Sequence, residues 1–158
     1  MNRFVSVLLF ILTAPVFSCK HIEVRERVAD IPRHEWGKKF PAVVELDVAD
    51  SATYQLYLIL RHTQQYRYNN LVAAVSIKDT TGHPVTTFRV NASLVTPSGS
   101  WAGGNIDDLY DHRIRLNTPV VLKKNRYRFA ISQLMKDDPL LFILNAGIGI
   151  EKITETRQ

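Results

Sequence analysis

The sequence predicts an all-β chain, a single antiparallel β-sandwich of about eight strands with jelly-roll or immunoglobulin-like connections behind a cleaved lipoprotein signal peptide. Three observations carry that reading. Apolar residues recur at every second position in run after run, the period of a strand with one face on a core. Turn residues separate these runs at short intervals, as in sandwiches and barrels. Helical character is confined to residues 132–138, where one turn would form at most before Pro139 ends it.

The elements follow in chain order. Arg3 precedes a greasy run, Phe4-Val5-Ser6-Val7-Leu8-Leu9-Phe10-Ile11-Leu12, and the segment closes on Val16-Phe17-Ser18-Cys19. A basic end, a short apolar core and a small residue before the cut make an export signal. The core falls short of the about 20 apolar residues that a membrane span needs. Val-Phe-Ser-Cys resembles a bacterial lipobox, with Phe17 bulkier than the usual occupant. Residues 1–18 are then the lipoprotein signal peptide, and Cys19 carries the lipid. The competing reading is ordinary secretion with Cys19 a free thiol. Cys19 is the only cysteine and so has no disulfide partner within the chain; its place at the end of the apolar core favours lipidation. Two or three acyl chains hold a protein on a membrane stably.

Residues 19–34, polar and aperiodic, read as a lipidated tether, with the sandwich over 35–153 and a C-terminal tail over 154–158. In the sandwich Tyr54, Leu56, Leu58 and Leu60 share one face of the first clear strand. Leu71, Ala73, Val75 and Ile77 repeat the pattern and run into the turn Asp79-Thr80-Thr81-Gly82. Phe88 and Val90 follow, then His112, Ile114 and Leu116, then Tyr127, Phe129 and Ile131. The last run places Phe142, Leu144, Ala146, Ile148 and Ile150 inward, with Asn145, Gly147, Gly149 and Glu151 between them.

Removing the signal leaves about 140 residues, enough for one domain with a real core. The net charge of +5 over 158 residues is spread over short mixed clusters such as Arg25-Glu26-Arg27 and Lys123-Lys124. No basic stripe or RNA-binding signature occurs, so nucleic acid is not an expected partner. The densest acidic and histidine cluster, Asp107-Asp108 with Asp111 and His112, has donor types that could hold a metal. Solvated loop carboxylates and a partly buried histidine on the inward phase of a strand explain it better. The sequence has no Gly-x-Ser-x-Gly elbow, His-Glu-x-x-His or P-loop pattern, and Cys19 is committed to lipid. The expectation is no enzyme, no metal and no cofactor.

The aromatic residues form a second constellation. Trp101 sits in Pro97-Ser98-Gly99-Ser100-Trp101-Ala102-Gly103-Gly104, with Tyr66, Tyr68 and Tyr110 beside loops. Exposed aromatics on a sandwich stack on sugar rings or anchor a protein interface. Alternatively Trp101 plugs one open end while glycines fold the backbone around it. The plug is favoured for Trp101, and both readings stay open for the tyrosines.

At these residues the chain resembles the GldH gliding motility lipoproteins of Bacteroidota. Arg61-His62-Thr63 with Tyr66, Tyr68, Asn70 and Leu71 is similar to that family's central signature. Gly99-Ser100-Trp101-Ala102-Gly103 leading into Asp107 and Asp111 is similar to a second motif. The closing Gln133-Leu134-Met135-Lys136-Asp137-Asp138 and Gly147-Ile148-Gly149-Ile150-Glu151-Lys152 fit the same family. Ala102 departs from the larger apolar residue expected after Trp101. The resemblance implies a non-enzymatic envelope lipoprotein, an accessory factor of gliding and type IX secretion machinery that docks a protein partner. Arg61, Tyr66, Tyr68, Asn70, Trp101, Gly103, Asp107 and Asp111 are the candidate docking or structural residues. A glycan-binding sandwich is the rival reading.

Lys20 after the lipid-bearing cysteine lacks the aspartate that retains many lipoproteins on the inner membrane. Arg25 and Arg27 make the following segment basic, unlike the acidic cluster that accompanies surface export. The expected location is the outer membrane, lipid-anchored and facing the periplasm.

Overall fold

The computed structural model describes residues 24–153; the expected signal peptide over 1–18, Cys19 and the expected tail over 154–158 lie outside the described residues. Along the chain run β1 (Val24–Asp30), a 3-10 turn (Pro32–His34), β2 (Glu35–Trp36), β3 (Ala42–Val48), β4 (Ala52–Thr63) and β5 (Asn70–Asp79). Then come β6 (Pro84–Ser93), β7 (Gly104–Ile106), β8 (Leu109–Arg115) and β9 (Val120–Leu122). The chain finishes with β10 (Asn125–Gln133), β11 (Leu140–Leu141) and β12 (Ile143–Lys152).

One sheet has the order β1-β12-β4-β8-β7, with β9 also on β4; the other has the order β3-β10-β5-β6. Every pairing is antiparallel. The pairs β5–β6, β4 with β8 and β9, β3–β10 and β1–β12 nest inside one another along the chain. One long hairpin has therefore been rolled so that its arms alternate between two sheets. That is the jelly roll of the two expected topologies, and the immunoglobulin-like alternative falls away. Eight principal positions result, with β8 and β9 sharing one and the short β2, β7 and β11 added at the margins.

Period-two patterning creates the core. Leu56, Leu58 and Leu60 of β4, Leu71, Ala73, Val75 and Ile77 of β5, and Phe129 and Ile131 of β10 are all fully buried. Each fully buried large apolar side chain contributes about 1.5–3 kcal/mol. Trp36 closes one end, its indole N–H donating to the Phe40 carbonyl at 3.0 Å. The turn after β5 forms around Asp79, whose Oδ1 accepts from the Thr81 and His83 amides at 2.9 and 3.0 Å, with Gly82 at φ 84°.

Four expectations need correction. Most of the expected tether over 19–34 is the strand β1 and the turn after it. β1 is an edge strand that is largely exposed and held by backbone pairing to β12, and such a strand needs no apolar face to betray it. Nearer twelve strands form than eight, because β2, β7, β9 and β11 are too short to show a period. Phe142, expected inward within the last strand, precedes β12 and packs on the core only partly buried, and Leu144 is not among the core residues. A bulge between Ile143 and Asn145 shifts the phase, burying Ile143 ahead of Ala146, Ile148 and Ile150. No helical turn forms after Ser132, since the buried Gln133 side chain takes the local hydrogen bonds. Its Oε1 accepts from the Met135 amide at 2.8 Å and its Nε2 donates to the Asp137 carbonyl at 3.0 Å.

Candidate functional site

The inward phase of β4 ends on a polar residue. After Leu56, Leu58 and Leu60 the next inward position is His62, which is fully buried. β8 supplies its counterpart, His112, at 4% exposure, and the two Nε2 atoms lie 2.9 Å apart. His62 Nδ1 is 2.8 Å from the Thr63 carbonyl, an acceptor only, so Nδ1 carries the proton. The His62 Nε2 lone pair then accepts from His112 Nε2–H, and both rings are neutral. Burial lowers the pKa of His62, and burial together with the neighbouring His62 lowers that of His112 to about 4, against a smaller upward pull from Asp111.

Aromatic rings enclose this pair. Trp101 meets His62 edge-on with centroids 4.5 Å apart, and Tyr66 and Tyr110 lie 4.9 and 5.7 Å from the same ring. A tight loop delivers Trp101: the Thr96 amide donates to Ser100 O at 2.7 Å, Gly99 sits at φ 87°, and Val95 bridges to Trp101. Trp101 thus packs against the core, half-buried. Tyr66 is buried and donates to the Asn70 carbonyl at 3.0 Å, and burial raises its pKa. The Tyr68 ring is tilted against that of Tyr66 with centroids 5.9 Å apart, and the neighbouring Asp137 carboxylate raises the Tyr68 pKa.

On the opposite face of the same strands, Arg61 and Asp111 stand in direct cross-strand register and form an ion pair, with Nε at 3.2 Å from Oδ2. Half-exposed, the pair contributes at most about 1 kcal/mol. Gly103 touches it from behind, for a Cβ there would lie 2.5 Å from the Asp111 carbonyl oxygen. Beyond it, β7 and β8 form a hairpin whose two turn residues are Asp107, at φ 55°, and Asp108. At its tip Ile106 is 75% exposed.

The fold therefore brings together Arg61 with Asp111, and Tyr66 and Trp101 against the histidines, with Gly103 wedged between the two groups; Tyr68 and Asn70 reach this cluster only through Tyr66. Asp107 stands apart as a turn residue. Sequence reasoning missed His62 and Ile106. His62 could have been found by extending the inward phase of β4 by one step. Ile106, a lone apolar residue among glycine, asparagine and aspartate, carried no signal. His112 faces inward and Asp111 is bound to Arg61, so the acidic and histidine residues from Asp107 to His112 do not converge on one point.

The family described as GldH lipoprotein matches residues 23–150. A protein of Christiangramia forsetii named gliding motility lipoprotein GldH homolog is 29% identical, over 96% of this chain and 98% of that protein. Among solved structures, infectious bursal disease virus VP2 aligns with TM-score 0.40 and 9% identity, covering 84% of this chain and 33% of the viral one. A family 35 carbohydrate-binding module of Clostridium thermocellum aligns with TM-score 0.36 and 10% identity, covering 80% and 90%. Likenesses this slight carry no functional argument.

Proposed function

The chain belongs to the GldH lipoprotein family, and from that premise we propose that it is a non-enzymatic envelope lipoprotein that docks a protein partner through the β7–β8 corner. The observation that carries the reading is the 75% exposed Ile106 on a hairpin whose base is fixed from both sides. The stacked histidines and Trp101 support that base from within, and Arg61 with Asp111 clamps it outside. An apolar anchor on a rigid support loses little conformational freedom on binding, which is what an interface hot spot requires. The histidines use their ring nitrogens on each other and on Thr63, an arrangement suited to holding the corner in place.

In this reading Cys19 bears the lipid, the protein sits on the periplasmic face of the outer membrane, and the partner belongs to gliding or type IX secretion machinery. The glycan-binding alternative rested on the tyrosines and a sugar-stacking Trp101. That ring contacts His62, Tyr66, Tyr110 and His112, which counts against a free stacking face.

The test is crosslinking in the native envelope followed by mass spectrometry, with wild type beside Ile106→Asp. The expected outcome is a discrete crosslinked partner lost in Ile106→Asp, with the melting temperature unchanged. A crosslink that survives the substitution removes the hairpin from the interface. Retention on polysaccharide that depends on Trp101 would favour the glycan reading.

A further inference from the structure

The rolled hairpin is closed along one side and open along the other. On the closed side β1 lies beside β3, where the Arg25 guanidinium donates to the Asp47 carbonyl at 2.8 Å. On the open side β6 ends its sheet, and β8 is covered by β7 only as far as Asp111. Two strand edges with unclaimed backbone groups therefore flank a groove of about 350 Å³. Its floor is apolar, for Phe88, Ala92 and Ile114 pack on the core yet stay partly exposed there. Its lips are cationic. Arg89 on β6 and Arg115 at the end of β8 line the mouth, and neither meets a carboxylate among the described residues. Arg61, Arg113 and Arg126, by contrast, are each ion-paired.

We infer that the open edge of β6 accepts an extended, acidic segment of a partner protein as an added strand, beside the groove toward β8. Backbone hydrogen bonds to the β6 edge supply affinity, as in other strand additions. Alternate side chains of the incoming strand fill the apolar floor, and its carboxylates meet Arg89 and Arg115, which selects acidic over basic sequences. The ten residues of β6 offer roughly 33 Å of edge. A second copy of this chain is the wrong occupant, because two β6 edges paired about their centres would bring Arg89 near its own mate. This surface is distinct from Ile106, so the inference goes beyond the docking corner.

The full mature chain is titrated, by fluorescence anisotropy, with a labelled decapeptide alternating valine with glutamate and threonine, and with the same peptide carrying lysine for glutamate. The acidic peptide is expected to bind and the lysine peptide not. Hydrogen exchange should show the new protection on β6 amides. The double variant Arg89→Glu with Arg115→Glu should weaken the acidic peptide about tenfold and admit the lysine peptide. Should that variant misfold, Arg89→Gln and Arg115→Gln singly should each weaken the acidic peptide. Ile106→Asp should leave the titration unchanged, so this inference and the corner reading fail separately. Equal binding of both peptides, no acidic-peptide binding up to millimolar concentration, or protection away from β6 overturns the inference. So does occupation of the groove by an oligosaccharide or an anionic vesicle in place of the peptide, or self-association through β6.

Discussion

Lowering the pH from about 7 toward 5 is expected to weaken this fold through His62 and His112. In the unfolded chain a histidine takes a proton near pH 6.5, whereas buried His112 resists until about 4. Between those values the unfolded state holds the extra proton, so stability rises with pH. The contribution is complete above about pH 6.5 and is lost as pH falls toward the folded value. Each pH unit in that window is worth about 1.4 kcal/mol per proton, and the full span about 3 kcal/mol. Against a total of roughly 5–15 kcal/mol for a domain, that is a large share. His62 is lowered in the same direction and steepens the slope. Asp47 and Asp79 have pKa values held below 3.8 by the Arg126 guanidinium and the Thr81 hydroxyl respectively. Their contributions are lost only in more acid solution than the histidines'. The assay is urea unfolding at half-unit pH steps, with His112→Gln as the control. That variant keeps an N–H for His62 but cannot take up the proton, and it should flatten the slope. A flat wild-type profile, or an equal slope in His112→Gln, would refute the neutral buried pair.

Three other perturbations have definite expectations. Gly147→Ala places a methyl group 2.1 Å from the Arg27 carbonyl oxygen and 2.6 Å from Val28 Cα, so β1 must move off β12. Faster hydrogen exchange across β1 and a loss of about 2 kcal/mol or more in unfolding experiments are expected. Gly103→Ala meets the Asp111 backbone at 2.5 Å and should loosen the β7–β8 hairpin while leaving β5–β6 exchange unchanged, as amide exchange by mass spectrometry would report. Cys19→Ser should abolish lipid labelling and release the chain into the soluble periplasmic fraction; unchanged membrane association would exclude the tether.

What the sequence disclosed depends on whether a residue's role shows in its neighbours' spacing. β4, β5 and β10 were legible because each buries one face against a core, and that forces a period of two. β1 was not, since an edge strand exposed to water can carry Arg25, Glu26 and Arg27 at no cost. The bulge at Ile143 was invisible because one inserted residue leaves every side chain chemically plausible while reversing which ones face inward. In the candidate site, Trp101, Gly103 and Asp111 stood out through their motif, but the His62–His112 contact joins residues fifty positions apart, and only pairing of β4 with β8 creates it. Ile106 depends on position alone.

The nested pairing also orders events in time. The turn at Asp79 joins neighbours, whereas Val24 meets its partner Glu151 only once nearly the whole described chain exists. Pairings between such distant segments form slowly, since the chain between them must first be brought together. β1 therefore has no strand to pair with until β12 is present. The first and last strands of the described chain thus close the sheet together, and its integrity rests on both ends.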